Sequence, residues 1–152
     1  MLKVRHLSYN FGQHWALKNC CFSLQKGDFL FLSGPSGAGK TTLLKVLYAA
    51  LPVTRGEVEV AGFSLNRLKS DQVPDLRRKV SVVFQDFKIM PERSVYENVA
   101  LPLEVRGLPP QSIERRVRAV CKGLGLERCV QMPCASLSGG EQQRVAVARA
   151  VV

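Results

Sequence analysis

Lys40 and Thr41 are the residues of this chain best suited to bind phosphate, because they close a glycine-rich turn. The turn matches the pattern G-x-x-x-x-G-K-[ST], and its members are Gly34, Pro35, Ser36, Gly37, Ala38, Gly39, Lys40 and Thr41; Thr42, directly after it, is a further candidate for nucleotide binding. Glycines let the backbone adopt positive φ and bring its N–H groups within hydrogen-bonding distance of phosphate oxygens. Lys40 would reach the β- and γ-phosphates, and the Thr41 hydroxyl suits Mg²⁺ as a ligand. The pattern therefore predicts a nucleotide-binding loop.

A second glycine-rich stretch, LSGGEQQR at 137–144, precedes another helical pattern. Ser138 and Glu141 have the S-x-x-E spacing of a capping box, so one interpretation is simply a well-capped helix. The other interpretation is a second anion site, because the N–H groups at a helix N-terminus attract negative charge. The residues alone leave both interpretations open.

The phosphate loop needs a strand before it and a helix after it, and the neighbouring residues predict both. Residues 29–33 form an unbroken apolar run, typical of a strand buried on both faces of a parallel sheet. Residues 80–84 form a second such run, which ends at Gln85. We therefore expect two buried parallel strands, with Gln85 at the sheet edge where ligands of α/β proteins collect.

The remaining elements indicate a small β layer before this core and a helical region after it. Alternating patterns predict antiparallel strands over 2–11 and 16–24 and a short strand at 57–61. Helical patterns begin after Gly39, at Pro74 and at Gly139, and they also cover 94–105, with a break at Pro102, and 112–124.

Composition restricts the class of protein further. The 152 residues are 46% apolar, which is enough for a core, and the net charge of +10 favours anionic partners such as nucleotides, nucleic acids or membrane surfaces. The basic residues are dispersed, however, so solvated helix faces explain most of them. The five cysteines contain no C-x-x-C pair, which favours reduced cytoplasmic thiols. No run approaches the roughly 20 apolar residues of a membrane span, so a membrane role would need a partner.

The three motifs together resemble those of ATP-binding cassette (ABC) ATPases. GPSGAGKT corresponds to the phosphate loop, the glutamine of VVFQD to the Q-loop residue and LSGGEQQR to the signature. The stretch from 73 to 107 is most similar to FtsE-type cell-division ATPases, and lipoprotein-releasing and macrolide-export ATPases are near alternatives. The resemblance implies an α/β P-loop NTPase fold with an antiparallel β subdomain, a parallel-sheet core and a helical subdomain at about 87–136.

The resemblance also implies roles for individual residues. Phe11 would stack on adenine, with Tyr9 as a second choice, and Gln85 would reach Mg²⁺ and the attacking water. Lys40 and Gln85 would be catalytic, and Thr41 and Gln85 would hold the metal. The signature residues Ser138, Gly139, Gly140 and Glu141 would contact ATP held by a second copy, so that a homodimer encloses two ATP molecules.

The implied partner is an integral-membrane, permease-like subunit of the FtsX type, contacted through residues 86–91, whose apolar Phe87, Ile89 and Met90 look exposed in the sequence. Ordinary packing of these three residues within the helical region is the alternative interpretation. This places the protein peripherally at the cytoplasmic face of the bacterial inner membrane, with no nucleic-acid partner expected. Two other hypotheses remain: a nucleotide-gated scaffold without important turnover, and a DNA-associated ABC ATPase. A steep salt dependence of duplex binding would favour the latter.

The chain departs from the family pattern after the signature. It ends at Val152, and Glu141 is the only acidic residue after Cys129, so the usual Asp-Glu pair of the next strand, the Walker B strand, and a later switch histidine do not appear. We therefore expect 1–152 to be a partial ABC domain that binds ATP weakly, with Mg²⁺ as cofactor, and hydrolyses essentially none. Missing an interior strand, it is also expected to be poorly stable and prone to associate.

Overall fold

A computed structural model describes all residues from Met1 to Val152 and divides them into two compact units, Met1–Val80 and Ser81–Val152. None of the helices combines the length and the apolar character required to cross a membrane. All five cysteines are free thiols, and burial raises the pKa of Cys121 to about 11.

The first unit is built on a four-stranded antiparallel sheet. Its strands are β1 (Leu2–Phe11), β2 (His14–Leu24), β3 (Arg55–Val60) and β4 (Phe63–Ser64), in the spatial order β2-β1-β3-β4. The expected pairing of the first two strands is confirmed, with Leu2 opposite Leu24 and Phe11 opposite His14. This sheet is the predicted β layer.

Two helices pack with this sheet. Helix α1 (Lys40–Leu47) buries Leu43 and Val46, and helix α2 (Val73–Lys79) buries Leu76. These side chains share a core with strand residues that include Val4, Leu7, Tyr9, Leu17 and Val58. The core therefore anchors the helix that follows the phosphate loop directly to the β1–β2 hairpin.

The prediction that 29–33 and 80–84 are buried parallel strands is wrong for the structure of this chain. Neither segment forms a strand, and Phe29 and Phe31 are 88% and 79% exposed. A strand of a parallel sheet needs hydrogen-bonding neighbours at its sides, and every paired strand here belongs to the antiparallel sheet. The segment before the phosphate loop, residues 29–33, is consequently exposed.

The second unit is helical, with α3 (Val95–Val105), α4 (Pro110–Gly123) and α5 (Gly139–Val151) around one apolar core. The core includes Val99, Leu103, Val117, Leu126 and Val145. The expected break at Pro102 does not occur, because α3 continues through it to Val105. Proline removes one backbone N–H donor, and the fully buried Ala100 and Leu103 on either side hold the helix in place.

Asn98 is a buried polar residue at the centre of this second unit, with no exposed surface. Its side-chain oxygen accepts from the Met90 amide at 2.8 Å, and its Nδ2 donates to the carbonyls of Met90 and Ser94, both at 3.0 Å. Nδ2 also lies 3.3 Å from the Arg93 carbonyl and from the Cys134 sulfur. One side chain thus fixes the loop before α3.

Candidate functional site

The glycine-rich loop has the backbone conformation that the sequence pattern predicts. Gly34, Gly37 and Gly39 have φ values of 150°, 82° and 84°, in a region that side-chain-bearing residues avoid. Gly39 is restricted twice, because a Cβ there would also overlap the carbonyl oxygen of Ala16 in β2. The loop therefore lies directly against the β1–β2 hairpin.

Lys40 turns back over the loop. Its ammonium donates to the carbonyl oxygens of Gly34 and Pro35, each at 2.6 Å. The Ala38 amide closes a turn on Pro35 at 3.3 Å, whereas the amides of Gly37 and Gly39 donate to no protein acceptor. A cation and unpaired N–H groups are thus concentrated where an anion would bind.

Helix α1 begins immediately after the loop. Gly39 is its N-cap residue in a left-handed conformation, and the Leu43 amide donates to the Gly39 carbonyl at 2.9 Å. Thr41 is exposed in the first turn, where its hydroxyl is an uncharged oxygen of the kind that Mg²⁺ accepts. The open glycine cradle fits a polyphosphate, and the donor set of Lys40 and Thr41 fits Mg²⁺-bound phosphate.

The hairpin beside the loop carries the aromatic candidates for a nucleobase. Phe11 is 54% exposed and packs against Tyr9, with ring centroids 5.0 Å apart, whereas Tyr9 is buried in the core. Trp15, which pairs with Asn10 across the hairpin, is 41% exposed. It precedes Ala16, the residue that touches Gly39. Sequence analysis missed Trp15, although an exposed aromatic next to a predicted turn is a usable signal.

The signature stretch forms the capping box that its spacing predicts. The Ser138 amide donates to the Glu141 carboxylate at 2.8 Å and the Ser138 hydroxyl at 2.6 Å, while Ser138 caps α5 by accepting from the Glu141 amide. These hydrogen bonds, those of the hydroxyl first, hold the pKa of Glu141 below its usual range. Gly139 and Gly140 have ordinary φ values; an added Cβ would lie in open space at Gly139 and would make only an ordinary contact with the Arg144 guanidinium, at 3.9 Å, at Gly140. Nothing within this chain requires glycine there.

Gln85 is exposed and lies in a turn closed by the hydrogen bond from the Phe87 amide to the Phe84 carbonyl. The apolar residues after it are less exposed than the sequence suggests, because Phe87, Ile89 and Met90 are all half-buried. Ile89 packs against the core of the second unit. Two side chains that sequence analysis did not single out, Arg149 and Asn98, hold the backbone of this segment.

The predicted site residues are therefore divided between the two units. The phosphate loop and Phe11 belong to the first unit, where Ala16 links the hairpin with Gly39. Gln85 and the signature residues Ser138, Gly139, Gly140 and Glu141 belong to the second unit. Each unit thus presents one glycine-rich helix N-terminus.

Comparison with known proteins places these features in one family. The profile of the family described as ABC transporter matches residues 17–152. The cell division ATP-binding protein FtsE of Streptococcus pneumoniae strain D39 is 47% identical over 137 residues, which are 90% of this chain and 60% of that protein. The protein of the same name from Escherichia coli K12 is 42% identical over 154 residues, covering 100% of this chain and 69% of its own length.

A solved structure extends the similarity to the fold. The ATP-binding cassette MJ0796, in a dimeric post-hydrolysis state bound to ADP and Pi, is 35% identical and has a TM-score of 0.88. The similarity covers 99% of this chain and 69% of that one. This similarity confirms the predicted ABC ATPase fold class, although the parallel strands expected at 29–33 and 80–84 are not formed in the structure of this chain. The chain thus spans about two thirds of the length of these relatives.

Proposed function

This chain belongs to the ABC transporter family, and we propose that it binds ATP at residues 34–42 as part of an ATP-hydrolysing subunit. The observation that carries this proposal is the arrangement of Lys40, whose ammonium lies 2.6 Å from two carbonyls of the glycine loop. A polyphosphate would bind the Lys40 ammonium more strongly than those neutral carbonyls do, because hydrogen bonds between a cation and an anion are stronger. Lys40 would then turn from the loop carbonyls to the phosphate oxygens.

Each residue of the loop has a defined task in this proposal. The unpaired amides of Gly37 and Gly39 donate to phosphate oxygens, and Lys40 stabilises negative charge on the transferring phosphoryl group. The Thr41 hydroxyl would hold Mg²⁺, which would supply charge neutralisation on the polyphosphate when bound. Gln85 would orient the attacking water, and Phe11 would stack on the adenine ring.

The signature residues act on a second copy of the chain in the same proposal. Gly139 leaves open space at the start of α5, and only the flexible end of Arg144 lies near Gly140, so another molecule can approach the backbone closely. The Ser138–Glu141 capping box keeps that helix end ordered. We propose that the N-terminus of α5 contacts the γ-phosphate bound by the partner copy, which makes the functional unit a homodimer around two ATP molecules.

The relatives named FtsE indicate cell division as the process. We propose that the subunit acts there with an integral-membrane, FtsX-type partner, at the cytoplasmic face of the bacterial inner membrane and attached only through that partner. The half-buried apolar residues Phe87 and Met90 are the proposed contact. Lipoprotein release, macrolide export and a nucleotide-gated scaffold are the alternative roles.

Hydrolysis needs a general base, and the Asp-Glu pair that serves in this family is not among the 152 residues. We therefore propose that these residues alone bind ATP without appreciable turnover, whereas a protein with the pair hydrolyses it. The test is the ATPase rate of both forms beside their Lys40→Ala variants. A longer form that dimerises with ATP yet hydrolyses no faster than its Lys40→Ala variant would sink the enzymatic proposal and favour the scaffold.

The partner contact has a separate test in the assembled complex. Phe87→Ala and Met90→Ala should weaken co-purification with the membrane subunit while ATP affinity stays within a few fold. If ATP affinity and partner binding fell together, these residues would serve the fold of the ATP-binding subunit instead of its interface.

A further inference from the structure

The turn after Gln85 contains two consecutive residues in an unfavourable backbone conformation. Phe87 has a φ of 58° and Lys88 a φ of 47°, although neither is glycine. Residues with a Cβ adopt this left-handed region at an energetic cost, and two in succession need support from their surroundings. The ion pair of Lys88 with Asp86, at 2.7 Å, is local and exposed, so it gives little support.

Arg149 of helix α5 supplies a more specific support. Its NH2 donates to the Phe87 carbonyl and its NH1 to the Lys88 carbonyl, each at 2.7 Å. The guanidinium is a planar fork that can donate to two neighbouring acceptors at once. Its two contacts are with the carbonyls of the two left-handed residues, so the fork fits the turn in this conformation.

Arg149 is also connected to the signature through its helix. Ser138 caps the N-terminus of α5, and the helix runs without interruption to Val151. Eleven residues separate Ser138 from Arg149, a rise of roughly 16 Å in an α-helix. A shift or rotation of α5 at the signature end therefore moves the guanidinium that grips the turn.

We propose that Arg149 is a positioning residue that holds the turn after Gln85 in its left-handed form and ties the placement of Gln85 to helix α5. The inference rests on the proposed function for the role of Gln85 beside the metal. The grip on the turn itself rests only on the contacts of Arg149. Contact of the signature with a second copy would thus change the position of Gln85 through the side chain of Arg149.

The first experiment measures amide hydrogen exchange in the 152-residue chain. The amides of Phe87 and Lys88 donate to the carbonyls of Phe84 and Asp86, so the intact turn protects them. Arg149→Met should speed exchange at both amides by about tenfold or more while protection in α3 persists. Arg115→Met, on an exposed face of α4, is the matched control and should change neither rate. Exchange within about twofold of wild type in Arg149→Met would overturn the proposal.

If Arg149→Met loses protection from hydrogen exchange throughout the second unit, Arg149→Lys is the variant in which the turn is measured. A lysine ammonium lacks the planar fork, so it should restore the fold but only part of the protection at Phe87 and Lys88. Full protection with lysine would show that a positive charge suffices, and the fork geometry proposed for Arg149 would be rejected.

The second experiment reads the position of Gln85 with Mn²⁺ and ADP. The paramagnetic ion should broaden the Gln85 side-chain amide resonances in wild type and in Arg115→Met, and broaden them much less in Arg149→Lys at equal ADP occupancy. Equal broadening in wild type and Arg149→Lys would overturn the positioning role. No broadening in wild type would instead reject the proposed place of Gln85 beside the metal, and the link from Arg149 to the nucleotide with it.

Discussion

The ammonium of Lys40 donates to the carbonyl oxygen of Gly34, six residues earlier in the chain, at a distance of 2.6 Å. This contact keeps the cation beside the backbone of the glycine loop. If a polyphosphate binds in the loop, the Lys40 ammonium needs only to change its hydrogen-bond acceptors from loop carbonyls to phosphate oxygens. The loop is therefore organised for anion binding by its own backbone.

Gly39→Ala should destabilise the first unit far more than Gly12→Ala. Both glycines have positive φ, which costs an alanine about 1 kcal/mol, but only Gly39 has the Ala16 carbonyl oxygen in the place of the new Cβ. We expect a loss of about 3 kcal/mol or more for Gly39→Ala. Urea denaturation followed by the fluorescence of Trp15 measures both. Equal losses would mean that the hairpin does not pack on the loop as described.

The two capping boxes predict a stability that depends on pH. Hydrogen bonds from Ser94, those of its amide first, lower the pKa of Glu97, as those from Ser138 lower that of Glu141. Because the folded pKa lies below the unfolded value of about 4.3, this stabilisation is complete above that pH and is lost as pH falls through the folded pKa. Urea midpoints between about pH 6 and pH 3 should fall less steeply in Glu97→Gln plus Glu141→Gln than in wild type. Parallel curves would contradict this.

Asn98→Ala should destabilise the second unit by about 3 kcal/mol, because the Met90 amide and two carbonyls would lose a buried partner. Asn10→Ala is the control, since Asn10 is exposed and donates only to the Gly12 carbonyl. Thermal unfolding followed by circular dichroism measures the difference. A midpoint for Asn98→Ala that matched the control would argue against a central role for this side chain.

The hairpin aromatics should contribute to binding of the base and not of the phosphates. Phe11→Leu should weaken ATP binding by about 1 kcal/mol or more, the usual scale of base stacking, and leave tripolyphosphate binding unchanged. If only Trp15→Leu has this effect, Trp15 is the stacking residue. Equal losses for ATP and tripolyphosphate would instead indicate damage to the loop.

The sequence predicts those elements that depend mainly on interactions between residues close together in the chain. The alternation of β1 and β2, the glycines before α1 and the Ser138–Glu141 spacing each depend on neighbours within a few residues. The structure has all three as expected. The structure of the apolar run at 29–33 does not follow from its composition. The composition indicates a strand, but a strand forms only where neighbouring strands provide hydrogen-bonding partners.

Long-range polar contacts were not predictable from the sequence. Arg149 reaches carbonyls 61 and 62 residues earlier, and backbone carbonyls have no sequence signature. Asn98 carries no motif in the sequence, yet it lies in the core because five acceptors and donors surround it. Such residues become visible only when the fold brings their partners together.

Calorimetric titration of the 152-residue chain with ATP and Mg²⁺ tests the central proposal most directly. We predict saturable binding that tripolyphosphate competes away and adenosine does not, weakened about tenfold or more by Lys40→Ala, a loss of at least 1.4 kcal/mol. Lys45→Ala, on the same helix and exposed, should bind like wild type. If Lys40→Ala bound ATP as tightly as Lys45→Ala, the glycine loop would not be the nucleotide site.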